Sequence, residues 1–303
     1  MRHHEQVHLM PNRGWDASIL VCANQTLVNV FIVVTRRYVV IIDTLFNGAT
    51  AARLHEMAAP YLDAGRTLMV ANTHADYDHA WGNHYFAGDA RLSPPPILAH
   101  RLCAARLAAP EMRAELAAFQ AKEPDIFSGV ILTQPTLTVD GPSTLLGGDL
   151  TLHFLPTPGH TPDHLAVYIP EIATLLAGDA AEWPFPFAAS PTDLPALRAS
   201  LATLAALKPR HALYCHADPT TGPALLLANL AYFATVEAAC RRALAAGLPY
   251  DVPVHDLIAA VNCSVTDALP NLAGWPLPDA ADLTIAHAQQ LRDMLTWLRM
   301  QRD

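Results

Sequence analysis

The stretch of sequence that decides the fold runs from residue 67 to residue 79 and reads TLMVANTHADYDH. Its first five residues, 67–71, are mostly apolar and predict a short buried strand. In the extended segment that follows, side chains at alternate positions point to the same side, so His74, Asp76 and Asp78 can converge. A turn after Asp78 would bring His79 beside them. This stretch therefore predicts a metal site in a loop after a strand, where an α/β scaffold normally carries its chemistry.

Predicted strands and helices alternate on both sides of this loop. Residues 28–34 and 38–43 are rich in β-branched side chains and predict two strands. A helix is predicted over 50–64, interrupted at Pro60 and ended by Gly65. A second helix is predicted over 101–121 with a break at Pro110, and helices dominate from Ala196 onward. Further strands are predicted at residues 97–100, 130–132, 136–139, 150–155, 165–169, 174–177 and 212–214.

The order of these elements predicts the fold class. The two halves of the chain each run strands and then helix, which favours an α/β fold, a four-layer αββα sandwich with the site between the sheets. We expect residues 1–220 to form this domain and residues 221–303 to form a helical C-terminal region packed on it.

Composition limits the partners that the protein can have. Of the 303 residues, 52% are hydrophobic and 16% are charged, which is enough apolar material for a sizeable core. The net charge of −9 argues against a nucleic-acid partner, which calls for a basic face. Lys122 and Lys208 are the two lysines in the sequence, so no lysine-rich stripe could hold an anionic membrane. We expect a small-molecule substrate, without nucleic acid or membrane.

Cysteine usage and the N-terminal residues predict a cytoplasmic protein. The five cysteines are scattered and form no CxxC pair, which fits a reducing compartment. Residues 1–15 are polar and lack the apolar segment of a secretory signal. No apolar run approaches the roughly 18 residues that a membrane span requires.

Three more candidate ligands follow predicted strands. His160 lies in a tight loop held by glycine and prolines, TPGHTP at 157–162. Asp179 follows the apolar strand at 174–177, and His216 follows the strand at 212–214. Each signal is weak alone, but their order, each at a strand end, indicates one shared site.

From about Val28 to Pro219, these motifs together resemble the metallo-β-lactamase superfamily. The resemblance implies an αββα sandwich with a two-metal site and a hydrolytic activity. It also implies that Asp43, at the end of its strand, braces the motif loop from behind the ligands. The ligands it implies are His74, Asp76 and His160 at the first ion, Asp78, His79 and His216 at the second, and Asp179 bridging both.

Position 76 departs from the family pattern, His-x-His-x-Asp-His, because this chain has Asp76. A carboxylate is a harder donor than imidazole and shifts metal preference from Zn²⁺ toward Mn²⁺ or Fe. The charges of two divalent ions would be cancelled by three carboxylates and a hydroxide, whereas histidine at position 76 would leave one positive charge. We expect two divalent ions, zinc first, with manganese or iron as alternatives.

The resemblance implies a mechanism and leaves two alternatives. A hydroxide bridging the ions would attack an ester, lactone, thioester or phosphoester, with Asp78 orienting it and accepting its proton. The alternative is a di-iron protein that handles oxygen or redox chemistry, suggested by Asp76, since flavodiiron proteins have an acidic residue there. A metal-binding sensor is a third hypothesis, disfavoured because a structural zinc site needs only four ligands.

Aromatic residues near the ligands are candidates for the substrate pocket. Tyr77 and Trp81 are expected to flank the metals, and the run Trp183-Pro-Phe185-Pro-Phe187 comes just after Asp179. We predict that Tyr77, Trp81, Trp183 and Phe185 form its apolar wall, although residues 183–187 could instead only cover the core.

Other residues near the motifs are expected to be structural. His84 is predicted to lie on the following helix, with an additional metal ligand as the alternative, and His164 to make a loop hydrogen bond, with a substrate contact as the alternative. Cys215 is predicted to be buried on the side opposite His216. Residues 101–127 are predicted to form either a lid over the site or the contact of a homodimer.

Overall fold

The computed structural model describes residues 6–25, 27–62, 65–87, 94–269 and 279–301. Within these residues, twelve strands form two sheets. The strands of the first sheet are β1 (Val7–Leu9), β2 (Ile19–Asn24), β3 (Val28–Val34), β4 (Tyr38–Ile42), β5 (Thr67–Ala71), β6 (Ile97–His100) and β7 (Leu137–Val139). Those of the second are β8 (Ser143–Leu146), β9 (Thr151–Pro156), β10 (Leu165–Ile169), β11 (Thr174–Leu176) and β12 (His211–Leu213).

Strand direction brings particular strand ends to the same edge of each sheet. In the first sheet β1 to β4 pair antiparallel, and β4 to β7 pair parallel. In the second sheet the order is β12-β11-β10-β9-β8, with β11 and β12 parallel and the other pairs antiparallel. The carboxyl ends of β4 and β5 therefore share an edge, as do those of β9, β11 and β12. Ligands of open α/β sheets bind at such edges.

Helices flank the two sheets. Local sequence explains several boundaries: Asn47 and Thr50 form a capping box at the start of the first helix, and Pro110 occupies a first-turn position of another. The helices are α1 (Gly48–Ala58), α2 (Tyr77–Ala80), α3 (Asn83–Ala87), α4 (Arg101–Ala108), α5 (Pro110–Lys122), α6 (Pro124–Phe127), α7 (Leu194–Ala206), α8 (Ala224–Ala245), α9 (Leu257–Val261), α10 (Val265–Ala268) and α11 (Ala280–Met300).

The second sheet buries both of its faces. Side chains alternate along its strands, so Val167 and Leu176 join the core shared with the first sheet, whereas Ala166 and Leu175 join a second core. The second core also contains residues of α7, α8 and α11. On the other side, α1 packs against β4 and α4 packs against β6. The predicted α/β four-layer sandwich with a helical C-terminal region is confirmed.

Some predicted elements differ from those observed. The helix predicted over 50–64 ends at Ala58 and continues as a 3₁₀ turn, Ala59–Tyr61, because Pro60 has no N–H to donate; Ala64 lies outside the described residues. Residues 130–132 form no strand: Val130 is buried but Ile131 is exposed where the chain crosses from α6 to β7. The strands β1, β2 and β8 were not predicted.

The C-terminal helices continue the second core. That core joins residues on both sides of position 220, among them Leu201 of α7 and Phe233 of α8. Among the described helices, α8 alone is long and apolar enough to span a membrane, and half of its most apolar window is buried. It packs against α7 and α11, as the core helix of a globular domain does. The absence of a membrane partner stays a prediction.

Candidate metal centre

The seven candidate ligands lie together where strands from both sheets end. The loop 74–79 follows β5 of the first sheet. In the second sheet, His160 lies in the loop after β9, Asp179 follows β11 and His216 follows β12. Topology therefore brings residues far apart in sequence to one point between the two sheets.

Asp179 occupies the centre of this set. Its Oδ2 atom lies 3.7 Å from His74 Nε2, 3.1 Å from His79 Nε2, 3.6 Å from His160 Nε2 and 3.3 Å from His216 Nε2. One carboxylate oxygen thus faces four imidazole nitrogens. This is the position that a residue bridging two metal ions must hold.

The remaining ligands divide into two groups around Asp179. The first ligand group is His74, Asp76 and His160, in which Asp76 Oδ2 lies 3.5 Å from His74 Nε2 and 3.6 Å from His160 Nε2. The second ligand group is Asp78, His79 and His216. There Asp78 Oδ1 lies 3.6 Å from His79 Nε2, and its Oδ2 lies 3.4 Å from His216 Nε2. The grouping matches the one that the family resemblance implies.

The other ring nitrogen of each histidine is already bonded to the protein. His79 Nδ1 donates to Asp43 Oδ2 at 2.9 Å, His160 Nδ1 to the Phe187 carbonyl at 3.1 Å, and His216 Nδ1 to the Leu27 carbonyl at 2.7 Å. Thr73 donates its hydroxyl to Asp43, so it accepts from His74 Nδ1 at 2.9 Å. These bonds occupy Nδ1 and aim each Nε2 atom at the centre, the orientation of metal-binding histidines.

Asp43 ties the motif loop to the first sheet. It follows β4, is fully buried and has the unusual backbone angle φ of +68°. Its Oδ1 accepts from the Thr73 N–H at 2.7 Å, while its Oδ2 holds His79. The carboxylate thus orients both the loop and one ligand, the bracing role that the resemblance implies.

Buried atoms without hydrogen-bond partners test whether this set suits metal ions. Within the described residues, His74 Nε2, His79 Nε2 and Asp179 Oδ1 are buried and make no hydrogen bond. Buried polar atoms are rarely left unpaired, because desolvation without a partner costs about 1–3 kcal/mol each. Imidazole and carboxylate donors that point inward without partners fit divalent cations.

The crowding of carboxylates and imidazoles shifts their pKa values in opposite directions. Burial lowers the pKa of His160 and His216, but hydrogen bonds and charges of Asp76 and Asp179 outweigh it and raise the pKa to about 9 for His160 and about 10 for His216. Burial raises the pKa of Asp179, but His79 and His216 bring it well below its usual value. Without bound cations, protons on the histidines balance the carboxylates.

His164 makes a loop hydrogen bond, as predicted, and thereby orients Asp179. Its Nε2 accepts from the Asp179 N–H at 3.0 Å, so its Nδ1 donates to Thr157 Oγ1 at 2.7 Å. Burial and the neighbouring His74 and His160 lower the pKa of His164 and keep it neutral. Gly178 has φ of +56°, and a Cβ there would come within 2.5 Å of His164 Nε2, so glycine is needed for this approach.

Two residues of the centre were missed by sequence reasoning. Arg106 of α4 donates from Nη2 to Asp76 Oδ1 and from Nη1 to Asp163 Oδ1, each at 2.6 Å. Asp163, fully buried, accepts from the Ala75 N–H at 2.9 Å. A usable signal existed for Arg106: it lies three residues after the buried Cys103 and one before the buried Leu107, so it falls near the inner face of its helix.

Glu182 is a third residue of the centre that the motifs did not predict. Its Oε1 lies 3.4 Å from His160 Nδ1, and its backbone is held by Asn229 of α8. Burial and the charge of Asp179 raise its pKa to about 7. Glu182 therefore adds a carboxyl group behind the first ligand group.

Tyr77 and Trp81 pack under α5 and α6 instead of facing an open pocket. The Tyr77 ring centroid lies 5.0 Å from that of Phe119, and the Trp81 centroid lies 5.9 Å from that of Phe127. Trp81 is fully buried, which corrects its prediction as a substrate-wall residue. Tyr77 is half-buried in the same packing. Segment 101–127 thus covers the motif loop through these rings and through Arg106; its role as lid or dimer contact stays a prediction.

The aromatic run after Asp179 has one member in the core and one at the surface. Phe185 is 1% exposed and stacks on Tyr232 at 4.2 Å between centroids, so its predicted place in the substrate wall is also corrected. Phe187 is 38% exposed, and its carbonyl holds His160. Trp183 is half-buried, and its backbone N–H donates to the His216 carbonyl at 3.0 Å. A run of apolar residues does not itself reveal which of them face solvent.

His84 and Cys215 were both expected to be structural. His84 lies on α3, and its Nδ1 donates to the Trp81 carbonyl at 2.9 Å. Cys215 is buried as predicted, and its Sγ lies within 4.8 Å of ligand atoms of Asp43 and His79, beside the carboxylate that holds His79.

Many solved structures resemble this fold, and three examples cover most of its length. A metallo-beta-lactamase family protein from Thermus thermophilus has a TM-score of 0.61 and 19% identity, over 97% of this chain and 93% of its own. A double mutant of a sec-alkyl sulfatase has a TM-score of 0.64 and 14% identity, over 95% of this chain and 49% of its own. A metallo-beta-lactamase from Pseudomonas aeruginosa in a mono-zinc form has a TM-score of 0.51 and 15% identity, over 74% of this chain and 93% of its own.

At these low sequence identities, the similarity to solved structures establishes only the fold. The family is established by a comparison of the sequence with a family model. A comparison with curated proteins finds no match. The sequence model of the Metallo-beta-lactamase superfamily matches residues 23–216, more than half of the chain, and this range includes all seven candidate ligands. The chain therefore belongs to the metallo-beta-lactamase superfamily.

Proposed function

We propose that this protein is a hydrolase that uses two divalent metal ions to cleave an ester, lactone, thioester or phosphoester bond of a small molecule. The superfamily consists mostly of metal-dependent hydrolases. Among the structures that resemble this chain are a sulfatase, which cleaves an ester, and a lactamase that carries zinc. These relatives support hydrolysis as a class, and the substrate is our proposal.

The observation that carries the proposal is the position of Asp179. Its Oδ2 lies between 3.1 Å and 3.7 Å from the Nε2 atoms of four histidines, two in each ligand group. A structural zinc site needs four ligands, whereas seven residues surround this point. The excess favours two ions and open coordination positions for chemistry.

The protein residues would divide the work between holding ions and moving a proton. The two ligand groups and Asp179 would hold two divalent ions, whose Lewis acidity would lower the pKa of the attacking water and polarise the scissile C=O or P=O bond. Asp78, only 8% exposed, would orient the attacking water and accept its proton. Asp43 and the Leu27 carbonyl would hold His79 and His216 in their reactive orientation.

A substrate panel on reconstituted protein tests the proposal. Protein loaded separately with Zn²⁺, Mn²⁺ or Fe²⁺ is assayed on chromogenic esters, a lactone, a thioester and a phosphodiester, with His160→Ala as the blank. We expect turnover of at least one ester-type substrate that His160→Ala abolishes. His153→Ala is the matched control, because His153 lies on β9 and bonds to Thr144 away from the centre. Activity that survives His160→Ala would contradict the site assignment.

A redox function is the second candidate, favoured by one observation. Asp76 Oδ2 faces His74 and His160, so the first ligand group contains a hard oxygen donor that suits iron or manganese. Metal analysis of protein purified without added metal separates the two. Iron with a visible absorption band and no turnover of the panel would favour redox chemistry over hydrolysis.

The partners and compartment follow from composition. We propose a small-molecule substrate, no nucleic-acid or membrane partner and a cytoplasmic location, because the chain is acidic and its cysteines are unpaired. A homodimer formed through segment 101–127 is the oligomer we would test first.

A further inference from the structure

We infer that Arg106 is a positioning residue for the first ligand group and that Asp76 and Arg106 act as one matched unit in place of a neutral ligand. The inference rests on the proposed function, because it concerns how the centre holds its ions. Arg106 lies on α4, outside every motif that carries a ligand.

The geometry of the arginine decides which oxygen of Asp76 faces the centre. Arg106 Nη2 donates to Asp76 Oδ1 at 2.6 Å. The other oxygen, Oδ2, is then the one that lies 3.5 Å from His74 Nε2 and 3.6 Å from His160 Nε2. A carboxylate can bind an ion through one or both oxygens, and this bond restricts Asp76 to one. Asp76 thereby offers a single donor atom, as an imidazole does.

A second carboxylate fixes the arginine itself. Arg106 Nη1 donates to Asp163 Oδ1 at 2.6 Å, and Asp163 Oδ2 accepts from the Ala75 N–H at 2.9 Å. Asp163 is fully buried, so moving Arg106 away would leave a buried charge without its partner, which is costly. The planar fork of arginine suits two carboxylates at once, and lysine has no equivalent. Ala75, Asp76, Arg106 and Asp163 therefore form a closed ring of contacts around the motif loop.

Charge gives an independent reason for the pairing. An aspartate ligand adds one negative charge that a neutral histidine would not add, and Arg106 cancels it. Both terminal nitrogens of the Arg106 guanidinium, Nη1 and Nη2, are bonded to carboxylates. Arg106 therefore orients Asp76 and does not bind an anionic substrate.

Zinc binding to defined variants tests the inference. Zinc content by mass spectrometry and zinc affinity by chelator competition are measured for wild type, Arg106→Gln, Arg106→Lys and the double variant Asp76→His/Arg106→Gln. Glutamine keeps an N–H donor for Asp163. We expect Arg106→Gln to bind one zinc ion tightly and to lose affinity at the first ligand group by about 10–100-fold, the usual effect of removing a partner of a metal ligand.

Comparisons among these variants separate the positioning of Asp76 by Arg106 from the effect of its charge and from an effect on folding. Removing a cation beside a metal site would by itself strengthen zinc binding, so a fall in affinity identifies positioning. Arg106→Lys keeps the charge but not the fork, and we expect a similar fall. The double variant should recover tight zinc binding at the first ligand group, because an imidazole introduced at position 76 needs no arginine to orient it. Arg101→Gln is the matched control: Arg101 is on the same helix and pairs with Asp140 at the surface.

Each outcome either supports or overturns the inference. Arg106→Gln that binds two zinc ions as tightly as wild type, or more tightly, would overturn the inference, and so would a double variant no better than Arg106→Gln alone. If Arg106→Gln fails to fold by circular dichroism, Arg106→Lys carries the same test, because lysine keeps a cation beside Asp163. Wild-type protein that binds no zinc, manganese or iron would overturn the proposed function as well, and this is seen before any variant is compared.

Discussion

The two ligand groups of the metal centre are equal in size but are held by different parts of the molecule. In the second group, His79 is held by Asp43, directly after β4, and His216 by the Leu27 carbonyl, directly before β3. Both supports belong to the first sheet. In the first group, His74 is held through Thr73 by the same Asp43, but His160 is held by the carbonyl of Phe187, in an irregular loop, and Asp76 by Arg106 of α4. Two of the three ligands of the first group can therefore be disturbed without disturbing the first sheet, and we expect the two ions to bind with unequal affinity.

Substitution of Asp179 should abolish the difference in metal affinity between the two ligand groups, because both groups depend on this carboxylate. Asp179→Ala removes the one oxygen that faces all four imidazoles, so we expect both ions to be lost together. Hydrolysis should fall on the order of a thousandfold, equivalent to about 4 kcal/mol of transition-state stabilisation. Metal content after dialysis and initial rates on the best substrate of the panel measure this. Asp140→Ala, at an exposed carboxylate, is the control. Retention of one tightly bound ion would show that Asp179 does not bridge.

Asp43 and Asp163 are buried and support ligands of different groups, so their variants should change the affinity of the second group to different extents. In a His160→Ala background, in which only the second group is intact, Asp43→Asn should weaken the remaining ion about 10–100-fold, since Asp43 orients His79. Asp163→Asn should leave that ion unchanged, because Asp163 acts through Arg106 on Asp76. Chelator competition gives both affinities. Equal effects of the two variants would mean that the groups are not supported separately.

We expect a smaller effect of pH on the unfolding stability of the metal-free protein. His160 and His216, one from each group, have pKa values of about 9 and about 10 in the folded protein against 6.5 ordinarily. A raised folded-state pKa stabilises the fold fully below pH 6.5, and this contribution is lost as pH rises through 9 and 10. The urea midpoint of chelator-treated protein should therefore fall between pH 7 and pH 10.

The metal-loaded protein provides the contrast for this pH prediction. Bound ions displace the histidine protons, so metal affinity and the stability it adds should rise with pH over the same range. His160→Gln should remove the part of the decline near pH 9, and His216→Gln the part near pH 10. A midpoint that is independent of pH in both forms would argue against protonated histidines in the metal-free centre.

The smallest effect concerns the loop that supports the first group. Phe187→Ala keeps the carbonyl that holds His160 but removes an exposed ring, so we expect an increase in KM of a few-fold with unchanged zinc content. Phe185→Leu should instead lower stability by about 1–2 kcal/mol with KM unchanged, because that ring packs on Tyr232 inside the core. Thermal unfolding and steady-state kinetics on both variants measure this. An increase in KM for Phe185→Leu alone would restore its original assignment to the substrate wall.

The convergence of the ligands could be predicted from sequence because each ligand follows an apolar strand. His74, His160, Asp179 and His216 each lie within a few residues of a strand end, and strand ends meet at the edges of sheets. Their binding of metal stays a prediction. The family pattern added the division into two groups, which spacing alone does not contain.

Contacts made through tertiary structure could not be predicted in the same way. Arg106 meets Asp76 and Asp163 across 30 and 57 positions, and no local pattern encodes that pairing. Phe185 was misplaced because a proline-flanked aromatic run shows apolar character but not direction. The edge strand β8 escaped prediction because it is short and carries exposed side chains at alternate positions.

The bond between His216 and Leu27 joins residues 189 positions apart, and this has a consequence for how the protein is made. Asn29 reinforces the same junction: its backbone N–H donates to the Cys215 carbonyl at 2.8 Å, and its side chain donates to the Ala217 carbonyl at 2.8 Å. During synthesis the N-terminal strands leave the ribosome long before their partners exist, and contacts this distant in sequence form slowly. The second ligand group can thus be completed only after residue 217 has emerged, so we expect any capture of ions by both groups to be a late step in the life of a newly made chain.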